Sequence, residues 1–275
     1  MKLFGTTDIK RFVQDYVASL DDLEGMTVVD VPAGTGYIYH TLKEKAAAVE
    51  PYDLFPEFFE CEGVQCREAD LRGELPIPDS HADMVLCQEG IEHIPDQLHA
   101  LQELNRILKP GGRLLLTTPN VSQLRSRLSH FLLESDLYRR MPPGEMDAVW
   151  FTGGDEMKFY FGHLFLIGAP KLRILCKLAG FRLVKILPVR ASHTSLLLGL
   201  FLPFIFLAHL FARMNGMKRN RDVDREWKKS IYREMFRIGF NPNILFGKHL
   251  FWELEKEAGI DETEAAFFRK MIGRI

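Results

Sequence analysis

Two stretches of this chain, Met26 to Val31 and Arg113 to Thr118, are short and apolar, lack helical spacing and are bounded by Gly or Pro. They constrain the fold more than any other feature, because such runs read as strands buried on both faces, which need helices above and below. Ala46 to Glu50 and Asp83 to Gln88 are weaker examples of the same type. Between them lie helical stretches, Tyr37 to Lys45 and Asp96 to Leu108. In the second, Leu98, Leu101, Leu104, Ile107 and Leu108 form an apolar stripe. Lys109, Pro110, Gly111 and Gly112 stop that helix and turn the chain into GRLLLTT. This alternation predicts an α/β fold with a doubly wound, mostly parallel sheet.

No low-complexity linker divides the 275 residues, so a single domain over 1–275 is expected. Two insertions interrupt it. Residues 121–162 carry charges, two prolines and clustered aromatics and read as a helical lid; residues 191–247 form an apolar and then basic excursion before the last strand. Between the insertions come a helix, Pro170 to Gly180, and a strand, FRLVKILPV. LFWELEK is the final strand, and Glu262 to Ile275 the terminal helix.

The net charge of -2 offers no general attraction to nucleic acid. The local basic spots, Arg125 with Arg127, Arg139 with Arg140, and Lys218, Arg219 and Arg221, read as solvated surface. Cys61, Cys66, Cys87 and Cys176 show no metal-site spacing and mostly sit in apolar runs, so reduced buried thiols are expected. The start, MKLFGTTDIKRF, lacks a secretory h-region, and a cytoplasmic location is expected.

In a doubly wound sheet the ligand sits beyond the carboxyl ends of the strands. The loop after the first strand reads Asp30-Val31-Pro32-Ala33-Gly34-Thr35-Gly36. Gly34 and Gly36 let the backbone turn tightly and approach a ligand, and Asp30 places a carboxylate where a cationic group could be held. Glu50, at the end of the second strand, could accept both hydroxyls of a ribose, and Asp70, after the third, could accept from an adenine amino group. A dinucleotide fingerprint would want a small residue at position 39; Tyr39 disfavours an NAD-dependent oxidoreductase.

The successive segments VVDVPAGTG, Glu50, Ala69-Asp70-Leu71, LPIPDSHADMVLCQEGIEHIPD and LKPGGRLLLTTPN resemble the motifs of class I methyltransferases. The resemblance covers about Gly25 to Asn120, and more loosely Gly162 to Val189. It implies a seven-stranded Rossmann-like sheet and S-adenosyl-L-methionine as cofactor. Asp30 with the Pro32, Ala33, Gly34 and Gly36 loop would hold its amino-acid part, Glu50 with Pro51 the ribose, and Asp70 with Leu71 the adenine. Gln88 and Glu89 would line the site.

Methyl transfer from a sulfonium is an in-line displacement, so the protein must align the reactants and deprotonate a hydroxyl acceptor. Were a helical turn to begin at the end of the fourth strand, Glu89, Glu92 and His93 would share one face. The run is similar to one in ubiquinone-biosynthesis O-methyltransferases and small-RNA terminal 2′-O-methyltransferases, where it supports a divalent cation. In the latter group a further His matches His163. Glu89, Glu92, His93 and His163 are therefore candidate ligands for Mg²⁺ or Mn²⁺. The favoured reading is that Glu92 and His93 shape the pocket without metal, with His93 and His163 as general-base candidates and Glu89 beside them. Trp150, Phe151, Phe159, Tyr160 and Phe161 flank Gly153-Gly154, a plausible lid hinge over an apolar acceptor, although ordinary packing explains them equally well.

Ala191 to Ala212 contains no Asp, Glu, Lys or Arg. Pro203 divides its apolar centre, SLLLGLFLPFIFLAHLF, into halves of about nine residues, each too short to cross a ~30 Å hydrocarbon core. A hairpin or bent helix dipping into one leaflet is favoured over an apolar dimer interface, with Arg190, Arg213, Lys218, Arg219 and Arg221 meeting anionic headgroups at the cytoplasmic face. The acceptor expected is then a small or lipid-linked molecule at the membrane. The alternative is a membrane-attached binding or scaffold protein that keeps the fold without catalysis.

Overall fold

A computed structural model describes residues 7–46, 48–136, 140–151, 159–219 and 223–272. Its centre is a seven-stranded sheet of β1 (Thr27–Asp30), β2 (Ala48–Asp53), β3 (Arg67–Glu68), β4 (Ala82–Gln88), β5 (Leu108–Pro119), β8 (Phe181–Ile186) and β9 (His249–Lys256); β6 (Val149–Phe151) and β7 (Phe159–Phe161) form a separate antiparallel pair. The order is β3-β2-β1-β4-β5-β9-β8, with β1 to β5 parallel and β9 antiparallel to both neighbours. This is the seven-stranded Rossmann-like order that the sequence resemblance implies.

Period-two alternation sorts the core into two layers. Val28, Met84, Leu86, Leu115 and Phe251 pack under α1 (Thr7–Ala18) and α2 (Tyr39–Lys43). Val29, Val85, Cys87, Leu114, Leu116 and Trp252 pack under α3 (Gln97–Ile107) and α6 (Ala169–Leu178). Helix α3 starts where its sequence says it should: Asp96 accepts from the backbone N–H of His99 at 3.0 Å. Helix α1 has no counterpart among the elements read from the sequence.

Two strand bounds differ from expectation. β2 continues past Glu50 to Asp53, and Pro51 is tolerated because β3 pairs only with Tyr52 and Asp53. β5 begins at Leu108, with the register shifting between Ala82 and Met84, so the Lys109 to Gly112 run lies inside the strand.

The first insertion is not wholly helical. It comprises α4 (Leu124–Leu133), α5 (Glu145–Ala148) and the β6–β7 pair, because its short aromatic segments favour a pleated pair over a helix. Gly153 and Gly154, like Arg139 and Arg221, lie outside the described residues.

The second insertion holds α7 (His193–Leu197), a 3-10 stretch over Leu198–Phe201, α8 (Leu202–Lys218), α9 (Arg225–Gly239) and α10 (Pro242–Phe246); α11 (Ile260–Ile272) follows β9. Pro203 does not divide the apolar run. It sits in the first turn of α8, where its missing N–H costs no bond, and the chain is helical from His193 through Lys218.

Candidate active site

Where the parallel strands end, a cavity of about 200 Å³ opens, lined among others by Pro32, Asp53, Asp70, Leu71, Glu89 and His93, with Phe55, Tyr160 and Phe161 as apolar walls. Of the loop after β1, Val31 and Pro32 line it, whereas Asp30, Ala33, Gly34 and Gly36 stand outside its lining. Asp30 is buried, and its Oδ1 has no partner among the described residues. Burial, with the nearby Asp53 charge, pushes the Asp30 carboxyl up to about 8 against a hydrogen bond from Gln88. Tyr37 donates to Gln88 Oε1, so Gln88 and Tyr37 close over Asp30 rather than lining the cavity.

Gly34 has φ +56 and open space where a Cβ would stand, and its N–H donates to Asp53 Oδ2 at 2.7 Å. Gly36, at φ +78, leaves no such room: a Cβ there would lie 2.6 Å from the Phe59 ring. The N–H of Ala33 donates to the carbonyl of Tyr52 at 2.9 Å, binding the loop to β2. A buried carboxylate oxygen without a partner among the described residues, at the start of a loop with an open glycine backbone, fits the ammonium or sulfonium end of S-adenosylmethionine.

Glu50 is not at a strand end. It lies in the middle of β2, where its carboxylate meets His81 Nε2 at 2.9 Å, the Tyr52 hydroxyl at 3.0 Å and Arg67 at 3.3 Å. Pro51 is buried opposite Asp30 in the β1–β2 register and does not line the cavity. The acid at the carboxyl end of β2 is Asp53, which the sequence reading passed over. Its two oxygens accept from Gly34 and from Phe55 N–H at 2.9 Å. The signal was available in Tyr52, a buried residue that extends the strand beyond Pro51. Asp70 and Leu71 do line the cavity, but Asp70 is held by Arg72 through contacts of 2.7 to 2.9 Å. Burial pushes the Asp70 carboxyl up, but its bonds to Arg72 outweigh this and hold it below the usual value.

After β4 the turn differs from the expected one. Glu89 adopts φ +48, and the single 3-10 turn spans Ile91–His93, so Glu89 stands before the turn rather than on its face. Its Oε2 lies 3.5 Å from His249 Nε2 at the start of β9, and its Oε1 is buried without a partner among the described residues. Burial raises Glu89 to about 7. Glu92 is fully buried; Thr118 donates to its Oε2 at 3.0 Å, while Oε1 has no partner among the described residues. Burial and the Glu89 charge hold the Glu92 carboxyl well above the usual range.

His93 Nδ1 lies 2.7 Å from the carbonyl of Phe161, and a carbonyl only accepts, so Nδ1 carries the proton and Nε2 keeps a lone pair. Burial keeps His93 below its ordinary value. The His93 and His163 rings are 5.3 Å apart, and Trp150 lies 5.8 Å from His163 and 6.0 Å from His93. Burial, then the charges of His93 and Arg140, lower the His163 value too. His163 and Trp150 also line a second cavity, of about 270 Å³, with Ser135, Asp136 and Arg140. The ligand atoms of Glu92, His93 and His163 fall within 4.8 Å of one another. Three of the four candidate metal ligands thus come together, and Glu89 goes to His249 instead.

Comparison with known proteins agrees with the fold. A family described as a methyltransferase domain matches residues 4–186. Ubiquinone biosynthesis O-methyltransferase of Xanthomonas oryzae is 31% identical over 115 residues, 38% of this chain and 48% of that protein. Its counterpart in Xylella fastidiosa is 32% identical over 118 residues, 38% and 47% of the two chains. The match therefore spans about half the length of these curated relatives. Among solved structures, a S-adenosylmethionine dependent methyltransferase from Listeria monocytogenes superposes with TM-score 0.50 at 11% identity, covering 90% of this chain and 97% of that one. The [4+2]-cyclase SpnF superposes with TM-score 0.50 at 17% identity, covering 91% and 82%.

Proposed function

The chain belongs to the methyltransferase-domain family, and from that premise we propose that it transfers a methyl group from S-adenosylmethionine to an oxygen of a small or lipid-linked acceptor. The observation that carries this reading is the juxtaposition at one sheet edge of the unpartnered Asp30 oxygen beside Gly34 with a neutral His93 whose Nε2 is left as acceptor. Asp30, the Pro32 to Gly36 loop, Asp53 and the Asp70–Leu71 segment would hold the cofactor, which supplies an electrophilic methyl group when bound. The chain's own work is then alignment and proton removal. His93 and His163, both held below their ordinary value by burial, are neutral near pH 7, and the single proton of the attacking hydroxyl passes to His93 Nε2, with His163 beside it as the alternative base. Tyr160, Trp150 and Phe161 exclude water around them. Oxygen as the acceptor atom is supported by the names of the Xanthomonas and Xylella relatives, which methylate oxygen in ubiquinone biosynthesis. Quinones, polyprenyl-linked sugars, envelope glycan precursors and other lipids are the acceptor classes in view.

The test is calorimetric titration with S-adenosylmethionine, followed by turnover on a panel of those acceptors. His93→Ala and His163→Ala are each expected to lower turnover by ~100-fold while leaving cofactor affinity intact. If wild type does not bind the cofactor the reading is wrong, since the SpnF fold shows that this architecture alone does not dictate the reaction. Binding without turnover on any acceptor favours the scaffold reading. The Glu92, His93 and His163 cluster favours one further reading, a divalent cation at the same place. Loss of turnover in EDTA, restored by Mg²⁺ or Mn²⁺, selects it.

A further inference from the structure

The excursion between β8 and β9 leaves and returns at the carboxyl edge of the sheet, because β9 runs antiparallel and its first residue, His249, pairs with Pro119 at the end of β5. The apolar helix is therefore on the same side of the molecule as the active site. It is fastened beside it: the N–H of Arg125 in α4 donates to Ser195 Oγ at 3.2 Å, and Ser195 Oγ donates to Gln123 at 3.3 Å.

From Leu196 to Phe211 the side chains of Leu197, Leu200, Phe204, Leu207 and Phe211 are each more than 60% exposed. With their neighbours they fan over roughly 180° of the helix at 100° per residue. Part of the opposite side meets α9: Phe206, itself 44% exposed, lies 5.5 Å from Phe236 and 5.7 Å from Phe240, and His209 5.1 Å from Phe240. The exposed half has no polar rim, as a protein interface would, since residues 191–212 carry no charge. Charge appears at the ends, as Arg190 and as Arg213, Lys218 and Arg219. No Asp or Glu occurs anywhere from 157 to 221, a stretch that holds eleven Lys and Arg. The apolar surface continues onto α4, where Phe131 is 84% and Leu132 63% exposed.

We propose that this face docks onto an anionic lipid bilayer, with the 193–218 helix lying in the interfacial plane and the acceptor cavity held at the lipid surface. Wide apolar coverage on a helix that itself carries no carboxylate and has cations at its ends matches such a surface. At 26 residues the helix is ~39 Å long and could span the hydrocarbon, but it would then have to return through α9, where seven of fifteen residues are charged. That the acceptor is itself lipid-borne rests on the methyltransferase reading above; the docking does not.

The experiment is flotation of the full chain with phosphatidylcholine vesicles, with and without phosphatidylglycerol, alongside calorimetric S-adenosylmethionine binding. Wild type is expected to float, more strongly with phosphatidylglycerol. The fourfold change Leu197→Ser, Leu200→Ser, Phe204→Ser and Leu207→Ser should lower partitioning ~10-fold or more, because buried apolar area sets the strength. Its melting temperature and cofactor affinity should stay unchanged, since all four side chains are exposed. Arg213→Glu with Lys218→Glu should remove the preference for phosphatidylglycerol. The proposal is overturned if wild type floats with neither vesicle, or if the fourfold variant floats equally well. A dimer that the same four changes dissolve, without vesicle binding, would assign the face to a second copy instead. Cofactor binding is measured separately, so loss of docking with affinity retained leaves the methyltransferase reading standing.

Discussion

The proposed cofactor cradle and imidazole chamber adjoin at His93 and Tyr160, with Trp150 and His163 lining the second cavity, and they are assembled differently. The cradle comes from a short span, Asp30 to Asp53 with Asp70 nearby, and its Asp53 carboxylate is aimed by backbone N–H groups of Gly34 and Phe55. The chamber gathers His93 from the turn after β4, Trp150 and Tyr160 from the β6–β7 pair, and His163 just beyond it. Backbone hydrogen bonds fix a carboxylate for a charged ligand, whereas ring packing and burial leave the two imidazoles neutral for proton work. The two regions should therefore fail separately.

The largest separation is expected at Asp30. Asp30→Ala should lower S-adenosylmethionine affinity on the order of 100-fold, the scale of a lost charge-assisted bond in a buried site. Gly34→Val should do at least as much, since φ +56 strains a branched residue and fills the open face. Wild-type affinity in either variant, shown folded by circular dichroism, would break the cradle assignment.

Next is the pH dependence of binding. Asp30 rises to about 8, so below that pH the free protein holds it neutral, and a cationic ligand must drive the proton off. Affinity should then climb with pH toward 8 by up to ~10-fold per unit, with a proton released on binding. Glu89, at about 7, titrates in the same window, so Asp30→Asn is needed to separate them and should flatten most of the slope. The sign for stability is opposite. Both groups are raised above their unfolded values, so their contribution is present at low pH, and the free protein loses stability as pH rises from about 4 to 8. Calorimetry from pH 6 to 8 in buffers of different ionisation enthalpy checks both; a flat affinity contradicts the Asp30 role.

The smallest expected effect decides between two neighbouring acids. Asp53→Asn should weaken cofactor binding by about 10-fold, because Gly34 loses a charged acceptor, whereas Glu50→Gln should change it by less than about 2-fold. The reverse order would return the ribose role to Glu50.

Much of this edge was legible in advance. The glycine loop, Asp30, Asp70 and the end of β4 lie where strand periodicity placed them, because buried parallel strands and tight turns are written in neighbouring residues. Glu50 was preferred to Asp53 because Pro51 looks like the end of a strand, and only the two-residue length of β3 shows why the strand continues. Pro203 looked like a break for a similar reason, and its harmless place in the first turn of α8 depends on where that helix begins.

The sequence by itself determined the alternation of strands and helices, the loop that approaches the ligand, the candidate bases and the uncharged run before the last strand. These follow from local spacing and from residue chemistry. Tertiary structure decided the rest. It took Glu89 to His249, 160 positions away, seated His93 against the Phe161 carbonyl, and brought Glu92, His93 and His163 together. It also put both ends of the excursion that holds the apolar helix at the carboxyl edge of the sheet. Each of these is a contact between elements whose mutual position is set by sheet order and by the direction of β9, quantities that no local pattern of residues encodes.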